Sequence, residues 1–386
     1  MDCLIRALIQ SLIMKKVHLS LLLIGFAFAS SALAQSAQMS PTRRPSLWVP
    51  ARYSHEVAVI NTATNRVVTQ IPVGSEPIRI AITPDRLKAF ISNSLSASIS
   101  VLDTVAHTNI ATIPVYNVPG ETTITPDGRQ LWVIHQAPLA SDPDHSPVAV
   151  IDTATNLVIT TVLILGKGAK DILFTLDGRF AYVANNTLGE VDVIDTTTYQ
   201  VTSIPTEPGS RRLAISPAGD RVYVSNNYAA SVSVIDTATQ QVIATIPVGR
   251  APMGIAITPN GEEVYATNQG DGTVSIIDTT TLTVIATIPT GALCQRVVIT
   301  SDGTKAFVQN GFSDTVSAID TATHTVIATI HVGHQPWTIL ADPNDMKLYV
   351  CNGGDTTVSV IDIPSLTVSD TIANVGSAPW DLAFGR

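Results

Sequence analysis

The strongest constraint on this chain is an internal repeat of roughly 42 residues. An apolar run ending in Ile-Asp-Thr or a close relative recurs, with its polar residue at Asn61, Asp103, Asp152, Asp195, Asp236, Asp278, Asp320 and Asp362. The spacings are 42, 49, 43, 41, 42, 42 and 42 residues. Thr-Pro-Asp-Gly or a variant forms a second anchor at Pro84, Pro126, Leu176, Pro217, Pro259, Ser301 and Pro343. A third anchor is an aromatic residue followed by a short apolar stretch and Asn, as in Tyr182 to Asn185, Tyr223 to Asn226 and Tyr349 to Asn352. Copies this regular specify one repeat-built domain rather than several unrelated ones.

Each unit reads as four short strands. In the copy at 252–290, Gly254 to Thr258 forms a first strand, and Pro259-Asn260-Gly261 a turn in which Pro presets φ and Gly accepts a positive one. Val264 to Thr267, Thr273 to Ile277 and Val284 to Ile288 follow as strands two to four. Asp278-Thr279 opens the last turn, where side-chain oxygens can bond nearby backbone N–H groups. Val, Ile and Thr are abundant, charged residues make up only 14%, and helix-forming runs are missing after residue 40. A four-stranded sheet with two apolar faces buries both when sheets pack radially. The expected fold is therefore all-β: an eight-bladed β-propeller of four-stranded antiparallel blades. Seven blades plus an extra unit is the alternative, and it leaves an incomplete blade dangling. The N-terminal copy lacks its first strand, whereas Pro379 to Phe384 match a first strand at the other end. Residues 47–74 and 379–384 are accordingly expected to share one closing blade, which removes free sheet edges.

Residues 1–34 read as a signal peptide. Lys15 and Lys16 form a positive segment, Leu21 to Ala29 an apolar one, and Ala32-Leu33-Ala34 a small-residue cleavage site before Gln35. Met14 is the more typical start, so residues 1–13 are either an over-called start or an extended basic segment. Residues 35–46 read as a linker and 47–386 as the propeller. The expected location is the periplasm, or secretion to the cell surface, with no transmembrane anchor after processing. The formal net charge of −9 lies in no acidic or basic block, which gives no footprint for nucleic acid. Past the signal peptide only Cys294 and Cys351 remain, read as isolated buried thiols in preference to one disulfide.

Ser231-Val-Ser-Val-Ile-Asp-Thr-Ala-Thr239, Val242 to Gly249, Pro252 to Thr258 and Tyr182-Val-Ala-Asn185 resemble the YVTN-type β-propeller repeat family. The resemblance covers residues 47–386. It implies a propeller of the kind found in periplasmic and surface-layer proteins, and says little about ligand, because the shared residues build strands and turns. The family is usually seven-bladed; the eighth unit is a departure that enlarges the ring.

Comparing the copies separates scaffold from special chemistry. The loops entering first strands and those between second and third strands share one face and diverge, so function is expected there. The position of Gly254 carries Arg79, Glu121, Asp171, Arg212, Arg296, Thr338 and Asp381 in the other copies, and first strands line a propeller's channel. The preceding position adds Lys170, Arg211, Trp337 and Trp380. Such a ring either neutralises itself in wet Arg–carboxylate pairs or meets a ligand. Arg forks suit carboxylate or phosphate groups, and Trp beside Arg suits a flat body. The expected binding residues at this mouth are Arg79, Glu121, Asp171, Arg212, Arg296, Trp337, Trp380 and Asp381.

One copy carries an insertion, His135 to Pro147, in which His135 replaces an Asn found in six copies. His135, Asp142, Asp144 and His145 are metal-ligand types, but their spacing matches no established motif and the prolines suggest a rigid surface loop. His331 and His334 read as solvated. No nucleophile elbow, phosphate loop or His-Glu-x-x-His segment occurs, and no cofactor is predicted. These features favour a binding or scaffold protein engaging a small anionic or aromatic ligand, or a protein partner, on the variable loop face. The alternative is a propeller enzyme, lactonase-like or assisting a periplasmic oxidoreductase.

Overall fold

The computed structural model describes residues 46–138, 141–166 and 168–385. The expected signal peptide, and all of the linker but Ser46, lie outside them.

Among the described residues, thirty-two strands form eight four-stranded antiparallel sheets. Blade one joins both ends of the chain: Ser46–Ala51, Glu56–Asn61 and Arg66–Pro72 are completed on the inner side by Ala383–Phe384. Leu47 pairs with Phe384 and Trp48 with Ala383, and Ala51 bridges to Pro379. Blades two to eight are contiguous; their inner strands are Pro77–Ile82, Pro119–Ile124, Ala169–Phe174, Ser210–Ile215, Pro252–Ile257, Cys294–Ile299 and Pro336–Ala341. Eight blades with a shared closing blade are thus present, and the seven-blade alternative falls away.

The repeat anchors explain the architecture. Trp48, Phe90, Trp132, Tyr182, Tyr223, Tyr265, Phe307 and Tyr349 sit at one position of each second strand and are essentially fully buried. They fill the wedge between blades, as where Trp132, Ile134 and Val150 pack on Ile172, Phe174 and Ala181 of the next sheet. The Asp of each Ile-Asp-Thr segment caps its turn: Asp103 Oδ1 accepts from the N–H groups of Val105 and Ala106 at 2.7 Å each. Those bonds hold the Asp103 carboxyl below its usual range.

The Asn closing most second strands ties that strand to the third. Asn93 Nδ2 donates to the hydroxyls of Ser98 (3.2 Å) and Ser100 (3.0 Å) on the third strand, not to backbone groups, and Asn226, Asn268, Asn310 and Asn352 repeat the pattern. Blade four replaces the second hydroxyl by the fully buried Asp192, 3.4 Å from Asn185 Nδ2. Both remaining cysteines are free and buried. Among the described residues no helix is long and apolar enough to cross a membrane.

Candidate functional site

The inner strands aim their special residues by a shared irregularity. In blades two to eight the pairing of the first strand with the second shifts register at the variable position, between Pro77 and Arg79, Ala169 and Asp171, and Ser210 and Arg212, for example. An extra residue in one strand re-aims the side chain it carries. The shift is not visible in the sequence pattern, which is continuous there.

The ring residues form a connected ion-pair network. Arg79 Nε lies 2.8 Å from Glu121 Oε2, and Arg212 Nη1 bridges Glu121 Oε2 and Asp171 Oδ1 at 3.1 Å each. Asp171 Oδ2 also accepts from Leu213 N at 2.9 Å, and Asp381 Oδ2 from Ile80 N at 3.4 Å. Burial works against the Glu121 carboxylate, but Arg79, Arg212 and Arg296 outweigh it and bring its pKa down to about 2. For Asp171 burial, with the charge of Glu121, prevails over Arg212 and raises its pKa. Burial likewise raises Asp381 against the pull of Arg79 and Arg296.

Above this ring opens a pocket of about 390 Å³ on the face where the loops diverge. Of the residues singled out in the sequence, Arg79, Glu121, Arg212 and Trp380 line it. Asp171, Arg296, Trp337 and Asp381 do not line it; they reach it only through their neighbours. Two further lining residues, Arg52 and Glu76, were not singled out by the copy comparison. Arg52 Nε and Nη2 donate to Glu76 Oε2 at 3.1 and 2.8 Å. Glu76 sits in a strand-entering loop, so its place was legible in the sequence, but its partner comes from blade one and was not.

Lys170 and Arg211 line the same pocket and make no hydrogen bond or ion pair among the described residues. Burial lowers the pKa of both; repulsion from Arg211 adds to this for Lys170, and repulsion from Arg212 for Arg211, against attraction from Tyr228. Opposite them stand Ile78, Leu95 and Trp380. Trp380 does not offer the open stacking surface expected of it, because Trp337 stacks on it and the Arg52 guanidinium lies 4.9 Å from its ring centre.

The four metal-ligand types of blade three do not converge. His145 to Pro147 belong to a strand, His145–Asp152, rather than to a loop. His135 is buried and its Nδ1 lies 3.0 Å from the Pro147 carbonyl, while His145 Nδ1 pairs with Asp142 Oδ1 at 2.8 Å. Asp144 supplies its carbonyl to Gly166 N at 2.7 Å. Among the described residues no group of three or more His, Cys, Asp or Glu side chains is placed to hold a metal ion. His334 is exposed but not free: its Nδ1 lies 3.0 Å from Asp314 Oδ2, a bond that raises its pKa.

Solved structures with the same fold include hydrazine synthase of Kuenenia stuttgartiensis, 23% identical over 72% of this chain and 92% of that one, with a TM-score of 0.58. Dihydro-heme d1 dehydrogenase NirN in complex with DHE is 14% identical over 90% of this chain and 78% of its own, with a TM-score of 0.74. A functionally unknown protein from Desulfotomaculum acetoxidans DSM 771 is 15% identical, covering 89% and 99%, with a TM-score of 0.61. At these identities the likeness concerns the fold. No curated protein matches the sequence. A YNCE-like β-propeller family model matches residues 255–374. The model of the lactonase, 7-bladed beta-propeller family matches residues 59–285, more than half of the chain. The chain therefore belongs to that lactonase-type β-propeller family, from whose description it departs by carrying an eighth blade.

Proposed function

We propose that this protein is an exported binding protein of the periplasm or cell surface that takes a small organic anion into the pocket at the channel mouth. The observation that carries this reading is the pair Lys170 and Arg211, which line the pocket and make no hydrogen bond or ion pair among the described residues. A half-buried cation without a counter-charge is costly, and an arriving carboxylate or phosphate relieves that cost with charge-assisted hydrogen bonds. Export rests on the Lys15-Lys16 segment, the apolar stretch after it and the Ala32-Leu33-Ala34 cleavage pattern.

The family match favours hydrolysis as the second reading. Against it, a general base near neutral pH needs a proton affinity that Glu121, with a pKa of about 2 and two Arg contacts, lacks. Asp171 has both oxygens engaged.

Calorimetric titration of the purified protein with carboxylates and their neutral amides tests the binding reading. Carboxylates are expected to bind, their amides not, and the double variant Lys170→Ala/Arg211→Ala is expected to lose about ten-fold or more in affinity. Equal binding of acid and amide, or an unaffected double variant, overturns it. Lactone or ester turnover that disappears in Glu121→Gln would transfer the site to the hydrolase reading. Export is checked by fractionation and by an N-terminus beginning at Gln35.

A further inference from the structure

The turns around the mouth pocket carry side chains that their geometry does not call for. Two residues past the end of the second strand stand Tyr53, Leu95, Tyr228 and Phe312 in blades one, two, five and seven, but Gly270 and Gly354 in blades six and eight. Glycine keeps the turn, so the large apolar residues are not scaffold. They are also left in water: Tyr53 is 59% exposed, and Leu95 and Tyr228 are each 70% exposed. Such exposure forgoes the gain of burial, and apolar groups gathered about one opening mark a contact surface.

Three of the four sit at the pocket margin. Leu95 lines it directly, as does the exposed Val118. The guanidinium of Arg52, a lining residue, lies 5.3 Å from the centre of the Tyr53 ring. Tyr228 is seated over Gly209, where a Cβ would come 3.0 Å from its Cγ, two residues before Arg211. Around the ring, Leu95 belongs to blade two, Val118 enters blade three, Lys170 lies on blade four, and Arg211 and Tyr228 lie on blade five. The two cations are thus flanked by exposed apolar side chains, Leu95 and Val118 at one end of the series and Tyr228 at the other. A cavity of about 390 Å³ is at the small end for ligand sites, which run from roughly 300 to 1,000 Å³. It has room for one acid-bearing group, and whatever covers the apolar rim lies outside it. The cations are sunk in the pocket of a chain with a formal net charge of −9, which suits a single acid reaching inward rather than a broad anionic surface such as a membrane.

We propose that the anion taken by the mouth is the side chain of an Asp or Glu in an extended peptide segment of a partner protein, an assignment that rests on the anion-binding reading of the pocket. Apolar residues two positions before and after the acid share its face of an extended chain and pack on Leu95, Tyr53 and Tyr228. The acid makes charge-assisted hydrogen bonds to Lys170 and Arg211, and the flanking residues bury the rim.

The probes are blocked peptides titrated calorimetrically into the full chain: acetyl-Leu-Ser-Glu-Ser-Leu-amide, its Gln-centred counterpart, acetyl-Ser-Ser-Glu-Ser-Ser-amide, and acetyl-Glu-amide as the acid without flanks. The Leu-flanked Glu peptide is expected to bind about ten-fold or more tighter than the Ser-flanked one, the worth of burying its leucines, and the Gln peptide to lose at least as much. The double variant Tyr53→Ser/Tyr228→Ser is expected to lose most of the advantage of leucine while binding acetyl-Glu-amide as the parent does. Both tyrosines are exposed, so their loss is not a loss of folding. Equal binding of the Leu- and Ser-flanked peptides overturns the proposal and leaves the mouth a small-anion site. A Gln peptide as tight as the Glu peptide overturns it too, because the rim then acts without the cations. If the peptides fail and phosphatidylglycerol vesicles float the parent but not the double variant, the rim belongs to a membrane surface. If neither the peptides nor acetyl-Glu-amide binds, the anion reading of the pocket falls as well.

Discussion

Trp337 and Trp380 stack with ring centroids 4.9 Å apart and planes 23° apart, although one belongs to blade eight and the other to the segment that closes blade one. Trp337 is seated over Gly353, where a Cβ would fall inside the indole. Gly353→Ala is therefore expected to push Trp337 off its partner at a cost of about 1–3 kcal/mol. Near-ultraviolet circular dichroism reads the pair through exciton coupling of the two indoles. A spectrum identical to that of the parent protein would sink this account.

Asp192 marks a local conflict in blade four. The equivalent residues Ser100, Ser233, Ser275, Ser317 and Ser359 meet the Asn amide at 2.8–3.0 Å through a neutral hydroxyl. Burial raises the Asp192 pKa, against hydrogen bonds from Ser203 and Asn185. With the folded-state pKa raised, the protonated form suits the native state, and the penalty grows as pH climbs through and past the ordinary carboxylate range. Asp192→Ser is expected to stabilise the protein at neutral pH by about 1–3 kcal/mol, the cost of an ill-matched buried polar group. The gain should vanish in acid, as urea melts at two pH values will tell.

His135 has the opposite sign. Burial brings its pKa down to about 4, against the hydrogen bonds its ring makes to the backbone of Pro147, whose carbonyl accepts, and of Val133. Its stabilising contribution is fully present above the unfolded value of 6.5 and is lost as pH falls towards 4. The loss amounts to at most roughly 3 kcal/mol. His135→Asn should flatten the stability profile across that window. It should also start from lower stability, because Pro147 and Ala149 stand where Ser98 and Ser100 serve Asn93. A profile as steep as the parent's would assign the slope elsewhere.

Deleting residues 379–386 removes the inner strand of blade one and the buried Leu382, and strips Phe384 from the edge of Tyr349. A loss of about 3–5 kcal/mol is expected from these contacts. The bare edge of Ser46–Ala51 should promote self-association, seen by light scattering. A synthetic 379–386 peptide added in trans should restore part of the melting temperature; a truncated chain that melts like the parent refutes the closure argument.

The repeat made the blades legible because each blade's pairing is local: turn residues and alternating apolar positions lie within 42 residues of one another. Shared closure was legible too, since the missing strand at one end reappears at the other. Aligning the copies puts Arg79, Glu121 and Arg212 at one repeat position and Trp380 beside it, and all four line the pocket. It did not show that Arg212 would serve two acids while Arg296 served none, because partner choice across a ring depends on side-chain reach, not on position in a repeat. Nor did it show that the insertion of blade three extends a strand. There the alternation of Ser146, Val148 and Val150 carried the signal, but the prolines obscured it.

Closure through Leu47 and Phe384 also fixes when the mouth comes into being. Seven blades are built from neighbouring segments and can form in the order of synthesis, whereas blade one waits for the segment at 379–384, more than 300 residues beyond its partner strand. Trp380 and Asp381 lie on that final segment. The pocket has no aromatic wall and the ring lacks the Asp381 carboxylate until the circle is shut, so the mouth takes its shape only in a closed ring.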